Sequence, residues 1–134
     1  MVPSRSKLLA KQWMQRARSN LERAELAKTP NSFLEDQCFD AQQAAEKALK
    51  AICILRGARF PYTHDLGKLI DVLELDGLDI PQAVKDGQAL TDYAVNTRYP
   101  SWGPPVTEDE LKTALSLAKV IFEWSQSQLG DGGA

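Results

Sequence analysis

Side chains that could do chemistry are concentrated in three short stretches of this chain, at residues 38–52, 63–66 and 97–100. The second stretch contains the only histidine, His64, and the third contains Arg98 beside Tyr99. A guanidinium binds phosphate through paired hydrogen bonds, and a tyrosine ring can stack on a base. We therefore predict that folding gathers these three side chains into one pocket for a phosphoryl ligand. The competing interpretation is architectural, with Arg98 bonded to helix-end carbonyls and Tyr99 packed over the end of a helical bundle.

The first stretch is rich in alanine and sets Glu46, Lys47 and Lys50 among small residues. Such charges commonly form exposed pairs on a solvated helix face. A charge that points inward must be matched by a partner, and we expect a structural polar network that includes Glu46, Asp65 and Asp92. Because the surrounding segment is locally basic, Lys47 and Lys50 are candidate phosphate ligands.

Composition excludes several classes of protein. With 134 residues, 43% of them hydrophobic and 25% charged, the chain fits a single globular domain spanning residues 1–134, with an ordered core of about 6–129. No apolar run approaches the roughly 20 residues that cross a bilayer. The formal net charge of −2 does not fit a protein that binds duplex phosphates through its overall charge. The N-terminal residues lead into an amphipathic segment rather than an apolar signal core, so we expect a cytoplasmic protein.

The two cysteines, Cys38 and Cys53, fall on one predicted helix. Their separation along that helix is roughly 22 Å, which is far beyond the reach of a disulfide. With a single histidine and no paired cysteine motif, a structural zinc site is not expected either. We predict that both cysteines are core residues and that the protein uses no metal and no cofactor.

Apolar residues recur at three- and four-residue spacing along the whole chain, which is typical of amphipathic helices. The predicted helices cover residues 6–28, 32–56, 64–75 and 81–95, and a fifth begins at a capping box over 107–110. The first helix is expected to bury Leu9, Trp13, Ala17, Leu21 and Ala24. Asn31 or Ser32 is the expected cap of the second helix, and Thr63 that of the third.

No stretch shows the alternation of a strand, so the predicted fold class is all-α. The predicted architecture is an up-and-down bundle of four long helices plus a shorter fifth. The many alanines of the second helix allow a neighbouring helix to approach closely. We therefore expect that helix at the centre of the bundle or at the seam of a dimer.

Three motifs give the chain a resemblance to a known family. Residues 41–51 read AQQAAEKALKA, residues 63–66 read THDL, and residues 97–100 read TRYP. In this order, and over nearly the whole chain, they resemble the HEPN domain. The resemblance implies a helical bundle that often forms a homodimer and is associated with nucleotide binding. It also implies a partner, because bacterial members are frequently encoded beside a small nucleotidyltransferase with which they act as a toxin–antitoxin pair.

Many HEPN proteins are metal-independent ribonucleases, whose motif is an arginine, four to six residues and then a histidine. Arg59 and His64 satisfy that spacing. They lie between the second and third predicted helices, however, whereas the family motif begins a late helix, and no histidine follows Arg98. The resemblance therefore leaves open whether this protein is an enzyme.

Three hypotheses follow. The preferred one is a partner of a nucleotidyltransferase that binds a nucleotide or an RNA phosphate through Arg98, Tyr99 and His64. The second is a ribonuclease toxin with His64 as acid and base and with Arg59 or Arg98 as phosphate anchor. The third is a structural dimerisation module whose alanine-rich helix forms the seam.

Overall fold

Helices form the regular secondary structure of the protein, as the apolar spacing predicts. The structure, a computed structural model, describes residues 4–95 and 104–130. Within those residues there is no strand, and the all-α prediction is confirmed. The elements are α1 (Arg5–Glu25), α2 (Leu34–Arg56), α3 (Leu66–Leu75), α4 (Gln82–Lys85), a 3-10 helix (Asp86–Thr91), α5 (Asp92–Val95) and α6 (Glu108–Gln128). None of these helices is both long and apolar enough to cross a membrane.

The second helix, α2, is the central element of the bundle. It packs against α1, α6, α3, α5 and the 3-10 helix. Five of its alanines are fully buried, at positions 41, 44, 45, 48 and 51. Such small side chains let the neighbouring helices approach closely. Both cysteines are buried core residues on this helix, as predicted.

The first helix, α1, buries Ala17, Leu21 and Ala24 as predicted but departs from the predicted apolar stripe in its first half. Leu9 is 43% exposed, and Trp13 is only half-buried. Ala10 and Met14 are buried there instead. Alanines seven residues apart along α1 meet the alanine-rich α2, so close packing of small side chains decides which face is buried, and the larger Leu9 and Trp13 lie at the margin.

Helix boundaries differ from the prediction at two caps. The N-cap of α2 is Phe33, without a side-chain hydrogen bond, because the hydroxyl of Ser32 is engaged with the backbone of Thr29 instead. The N-cap of α3 is Asp65 rather than Thr63, and its carboxylate accepts from the backbone N–H of Gly67 at 2.9 Å. The predicted cap of α6 is confirmed, since Thr107 Oγ1 accepts from the backbone N–H of Glu110.

The fourth predicted helix, residues 81–95, is not one continuous α-helix. It is divided into α4, the 3-10 helix and α5. Gly87 lies so close to the side chain of Ile121 that a Cβ at position 87 would clash with it. Glycine is also a poor helix former, and the tighter 3-10 winding accommodates this contact with α6. The predicted ligand residues Arg98 and Tyr99 lie outside the described residues.

Candidate functional site

A polar corner forms where α2 is connected to α3. Gln42, Glu46 and Lys50 are spaced four residues apart, so they lie in line on one face of α2. Gly57 adopts a left-handed conformation with φ 69° and ends α2, and the chain then turns back toward that face. We call the group of Gln42, Glu46, Lys50, Tyr62 and His64 the His64 corner.

The connection is anchored by the backbone on both sides of His64. The carbonyl of His64 accepts from Gln42 Nε2 at 3.1 Å. The backbone N–H of Leu66 donates to Thr91 Oγ1 at 3.0 Å. Together with the Asp65 cap, these bonds hold His64 at the start of α3, against the polar face of α2.

Glu46 is the centre of the corner. It is only 3% exposed, and its carboxylate accepts from Gln42 Nε2 at 3.1 Å and from Lys50 Nζ at 3.0 Å. The Nδ1 atom of His64 lies 2.9 Å from Glu46 Oε1. Burial alone would raise the pKa of Glu46, but the hydrogen bonds from Lys50, Gln42 and His64 lower it below its ordinary value. The buried carboxylate therefore stays ionised, because hydrogen bonds from Lys50, Gln42 and His64 stabilise its negative charge.

The imidazole of His64 is oriented by that carboxylate. An ionised carboxylate can only accept hydrogen bonds, so Nδ1 carries the proton and donates to Glu46. The side chain of His64 is 43% exposed, and within residues 4–95 and 104–130 no partner bonds to Nε2. Nε2 is therefore the ring nitrogen that remains for a ligand. It accepts a proton from a bound group in the neutral ring and donates to an anion in the protonated ring.

Tyr62 is a member of the corner that the sequence prediction missed. Its side chain is 92% exposed. Its ring meets that of His64 edge-on, with centroids 5.7 Å apart and an interplanar angle of 72°. Lys50 Nζ lies 5.9 Å from the Tyr62 ring centroid and at the same distance from that of Phe60. An aromatic residue two positions before the only histidine, in a connection containing proline, was the signal that could have found it.

The predicted phosphate ligands are divided between different surfaces. Arg59 is exposed in the same connection as His64, and no described residue forms a hydrogen bond or an ion pair with it. Lys50 is buried, and its ammonium group is engaged by Glu46. Lys47 points to the other side of α2, where its Nζ donates to Asn20 of α1 at 2.7 Å. Arg98 and Tyr99 fall outside the described residues, so their roles stay predictions.

The predicted polar network of Glu46, Asp65 and Asp92 has a different connectivity. Glu46 is bonded to Gln42, Lys50 and His64, whereas Asp65 caps α3. Asp92 is exposed at the start of α5, and no hydrogen bond or ion pair with Glu46 is formed. Within the described ranges, no cluster of three or more His, Cys, Asp or Glu side chains could hold a metal ion.

Comparisons with known proteins agree with this architecture. The family model for the HEPN domain matches residues 10–128. The crystal structure of an archaeal HEPN homologue superimposes with a TM-score of 0.68 and 25% sequence identity, covering 90% of this chain and 97% of that one. No curated protein matches the sequence.

Proposed function

The chain belongs to the HEPN domain family, and from that premise we propose that it binds the phosphate and base of a nucleotide or of single-stranded RNA at the His64 corner. The observation that carries the proposal is the half-exposed imidazole, which is fixed through Nδ1 by the buried Glu46 carboxylate. The bond orients Nε2 before a ligand arrives, so little conformational entropy is lost on binding.

The surroundings of Nε2 suit a nucleotide. The exposed ring of Tyr62 next to His64 offers a surface on which a base can stack, and such stacking contributes about 1–3 kcal/mol per base. The exposed guanidinium of Arg59 adds a donor for phosphate oxygens. Arg98 and Tyr99 remain predicted contributors to the same ligand.

We further propose, on the basis of family membership, that the protein acts in the cytoplasm as a homodimer with a nucleotidyltransferase partner in a two-gene, toxin–antitoxin-like module. Co-purification with a nucleotidyltransferase encoded beside the gene tests the partnership. Light scattering at micromolar concentration tests the dimer. A monomeric mass and no retained partner would contradict this part of the proposal.

Ligand binding is tested by titrating labelled ATP and short single-stranded RNAs against the protein and two variants. His64→Gln removes the oriented imidazole, and Tyr62→Ala removes the stacking surface; each should weaken binding about tenfold or more. Phe33→Ala is a matched control for Tyr62, because Phe33 is also an exposed aromatic residue, 62% exposed, but lies at the opposite end of α2. Equal affinity in all four proteins would refute the assignment of the site.

A second candidate function is metal-independent RNA cleavage, with His64 as general acid and base and with Arg59 or Arg98 holding the phosphate. The specific observation in its favour is again the carboxylate that orients His64, because such a partner fixes the tautomer an acid–base histidine needs. Cleavage of single-stranded RNA in EDTA should be abolished by His64→Ala and reduced by Glu46→Gln. If native protein and His64→Ala cleave RNA at the same rate, this candidate fails.

A further inference from the structure

A cationic surface lies on the other side of α2 from the His64 corner, in the groove between α1 and α2. The groove has a volume of about 610 Å³ and is lined by Leu9, Gln12, Trp13, Gln15, Arg16 and Lys47. We call it the Trp13 groove. Its volume falls within the roughly 300–1,000 Å³ of typical small-molecule sites. It shares no residue with the His64 corner, because Lys47 points toward α1 whereas Glu46 points toward α3.

Lys47 is held in place by a buried chain of hydrogen bonds. Its Nζ donates to Asn20 Oδ1 at 2.7 Å, and Asn20 Nδ2 donates to Asp40 Oδ1 at 2.9 Å. Asn20 and Asp40 are each 7% exposed, and Asp40 is also paired with Arg23 at 3.5 Å. Because the direct partner of Lys47 is a neutral amide that accepts one hydrogen bond, that partner does not neutralise the ammonium, and two of its three donors remain for a ligand.

Arg16 supplies a second positive charge in the groove. Its side chain is exposed, and no described residue forms a hydrogen bond or an ion pair with it. Burial lowers the pKa of Lys47, and the positive charge of Arg16 lowers it further. The two cations therefore repel each other, and an anion bound between them would remove that repulsion.

The wider surface also favours an anion. The helix that forms most of the groove, α1, carries six Lys or Arg side chains and two Glu side chains. The segment 65–86 on the other side of α2 carries six Asp or Glu side chains and two Lys side chains. Although the net charge of the chain is −2, α1 is therefore a basic helix. Its positive charge attracts an anionic ligand to the groove before the ligand binds.

We propose that the Trp13 groove is a nucleoside-phosphate site, with the phosphate between Lys47 and Arg16 and the base against the indole of Trp13. A planar guanidinium and an ammonium suit a phosphate dianion, and an indole next to them suits an aromatic base. An acidic peptide would use the two cations but would leave the indole without a matching group. The site goes beyond the function proposed above, because it would bind its ligand even if the His64 corner bound none.

The test uses the full chain with His64→Gln, so that binding at the first site is weakened. Labelled nucleoside 5′-monophosphate should bind this protein, and Arg16→Ala should weaken the binding about tenfold. Arg5→Ala is the matched control, because it removes an exposed cation from the same helix roughly 16 Å away along the axis. Its affinity should stay within about twofold of the parent. Trp13→Phe should retain binding and Trp13→Ala should lose most of it.

Four further ligands test which part of the nucleotide the groove recognises. Nucleoside without phosphate and inorganic phosphate alone should each bind more weakly than the monophosphate, because each lacks one half of the recognised group. Comparing RNA with and without a 5′-phosphate shows whether the ligand is a free nucleotide or the end of a strand.

The inference is overturned if the monophosphate does not bind the His64→Gln protein, or if Arg16→Ala and Arg5→Ala bind it equally. Capture of a poly-glutamate peptide in place of nucleotides would overturn it as well. If His64→Gln leaves nucleotide affinity unchanged while Arg16→Ala weakens it about tenfold, the function proposed for the His64 corner fails and this inference stands.

Discussion

The two polar clusters on α2 use similar residues to opposite effect. At the His64 corner, a buried carboxylate accepts from Lys50 and His64, so the charges cancel inside the protein. At the Trp13 groove, Lys47 is bonded to the neutral amide of Asn20, so its charge is not cancelled by its direct partner. The two lysines are three residues apart on one helix, but only one keeps its charge available to a ligand.

The partner of a lysine, rather than its position on a helix, decides what the lysine can do. Lys50 is 6% exposed and serves the orientation of His64 by holding Glu46 ionised. Lys47 is half-buried and borders an open groove. A stabilising role and a binding role are thus separated by one turn of α2.

The largest difference between the two clusters is expected in the loss of stability when the buried carboxylate of each, Glu46 or Asp40, is replaced by its amide. Glu46→Gln leaves the buried ammonium of Lys50 without a counter-charge, and we expect a loss of about 3–5 kcal/mol in the free energy of unfolding. Asp40→Asn should cost only about 1–2 kcal/mol, because its charged partner, Arg23, has a side chain that is 65% exposed and can return to water. Urea denaturation of both variants measures the difference. Equal losses would show that the two clusters do not differ in this way.

Low pH should reduce the contribution of Glu46 to stability. The pKa of Glu46 is lowered in the folded protein, so its contribution to stability is complete above its ordinary value of 4.5 and is lost as pH falls through the lowered value. The difference in unfolding free energy between native protein and Glu46→Gln should therefore shrink as pH falls below 4.5 and through the lowered pKa of Glu46. Denaturant titrations at several pH values measure it, and the other carboxylates cancel in the difference. A gap that widens in acid would contradict the assignment.

Caps test whether the position of His64 matters for binding. Asp65→Ala and Thr107→Ala each remove one side-chain cap, and each should cost about 1 kcal/mol. Only Asp65 is adjacent to His64, so only its variant should also weaken nucleotide or RNA binding at the His64 corner. Stability and affinity are measured on the same preparations. If both variants bind like native protein, the start of α3 does not position the imidazole.

The smallest effect on stability is expected for Tyr62→Ala. Tyr62 is 92% exposed, so its removal should change the free energy of unfolding by less than about 0.5 kcal/mol while reducing RNA affinity. Thermal unfolding and RNA titration together separate the two effects. A large loss of stability would mean that Tyr62 packs in the fold and is not a free stacking surface.

Most of the helices were predicted from the sequence, and the predictions that were wrong have physical explanations. The stripes that define α2, α3 and α6 depend on local spacing, which a sequence displays directly. The predicted stripe of α1 was confirmed at Ala17, Leu21 and Ala24 but wrong at Leu9 and Trp13, because the first turns of the helix pack through Ala10 and Met14 instead. The helix predicted for 81–95 was divided by the contact of Gly87 with α6, which local spacing does not report.

The candidate site was predicted in part only. His64, Glu46 and Lys50 were identified as candidate residues, but the hydrogen bonds between them were not predicted. Glu46 and Lys50 lie on α2 whereas His64 lies in the connection to α3, and these two segments come into contact only after folding. Tyr62 was missed for the same reason: neither its exposure nor its contact with His64 can be seen in the order of residues.

The all-α class, the long alanine-rich helix and the residue types available for phosphate chemistry follow from the sequence, since periodicity and composition are properties of the chain. Which charges meet depends on the tertiary structure. Lys50 is neutralised by Glu46 while Lys47 reaches Asn20 and a groove, because the burial and pairing of a charge depend on what other segments bring to it in space.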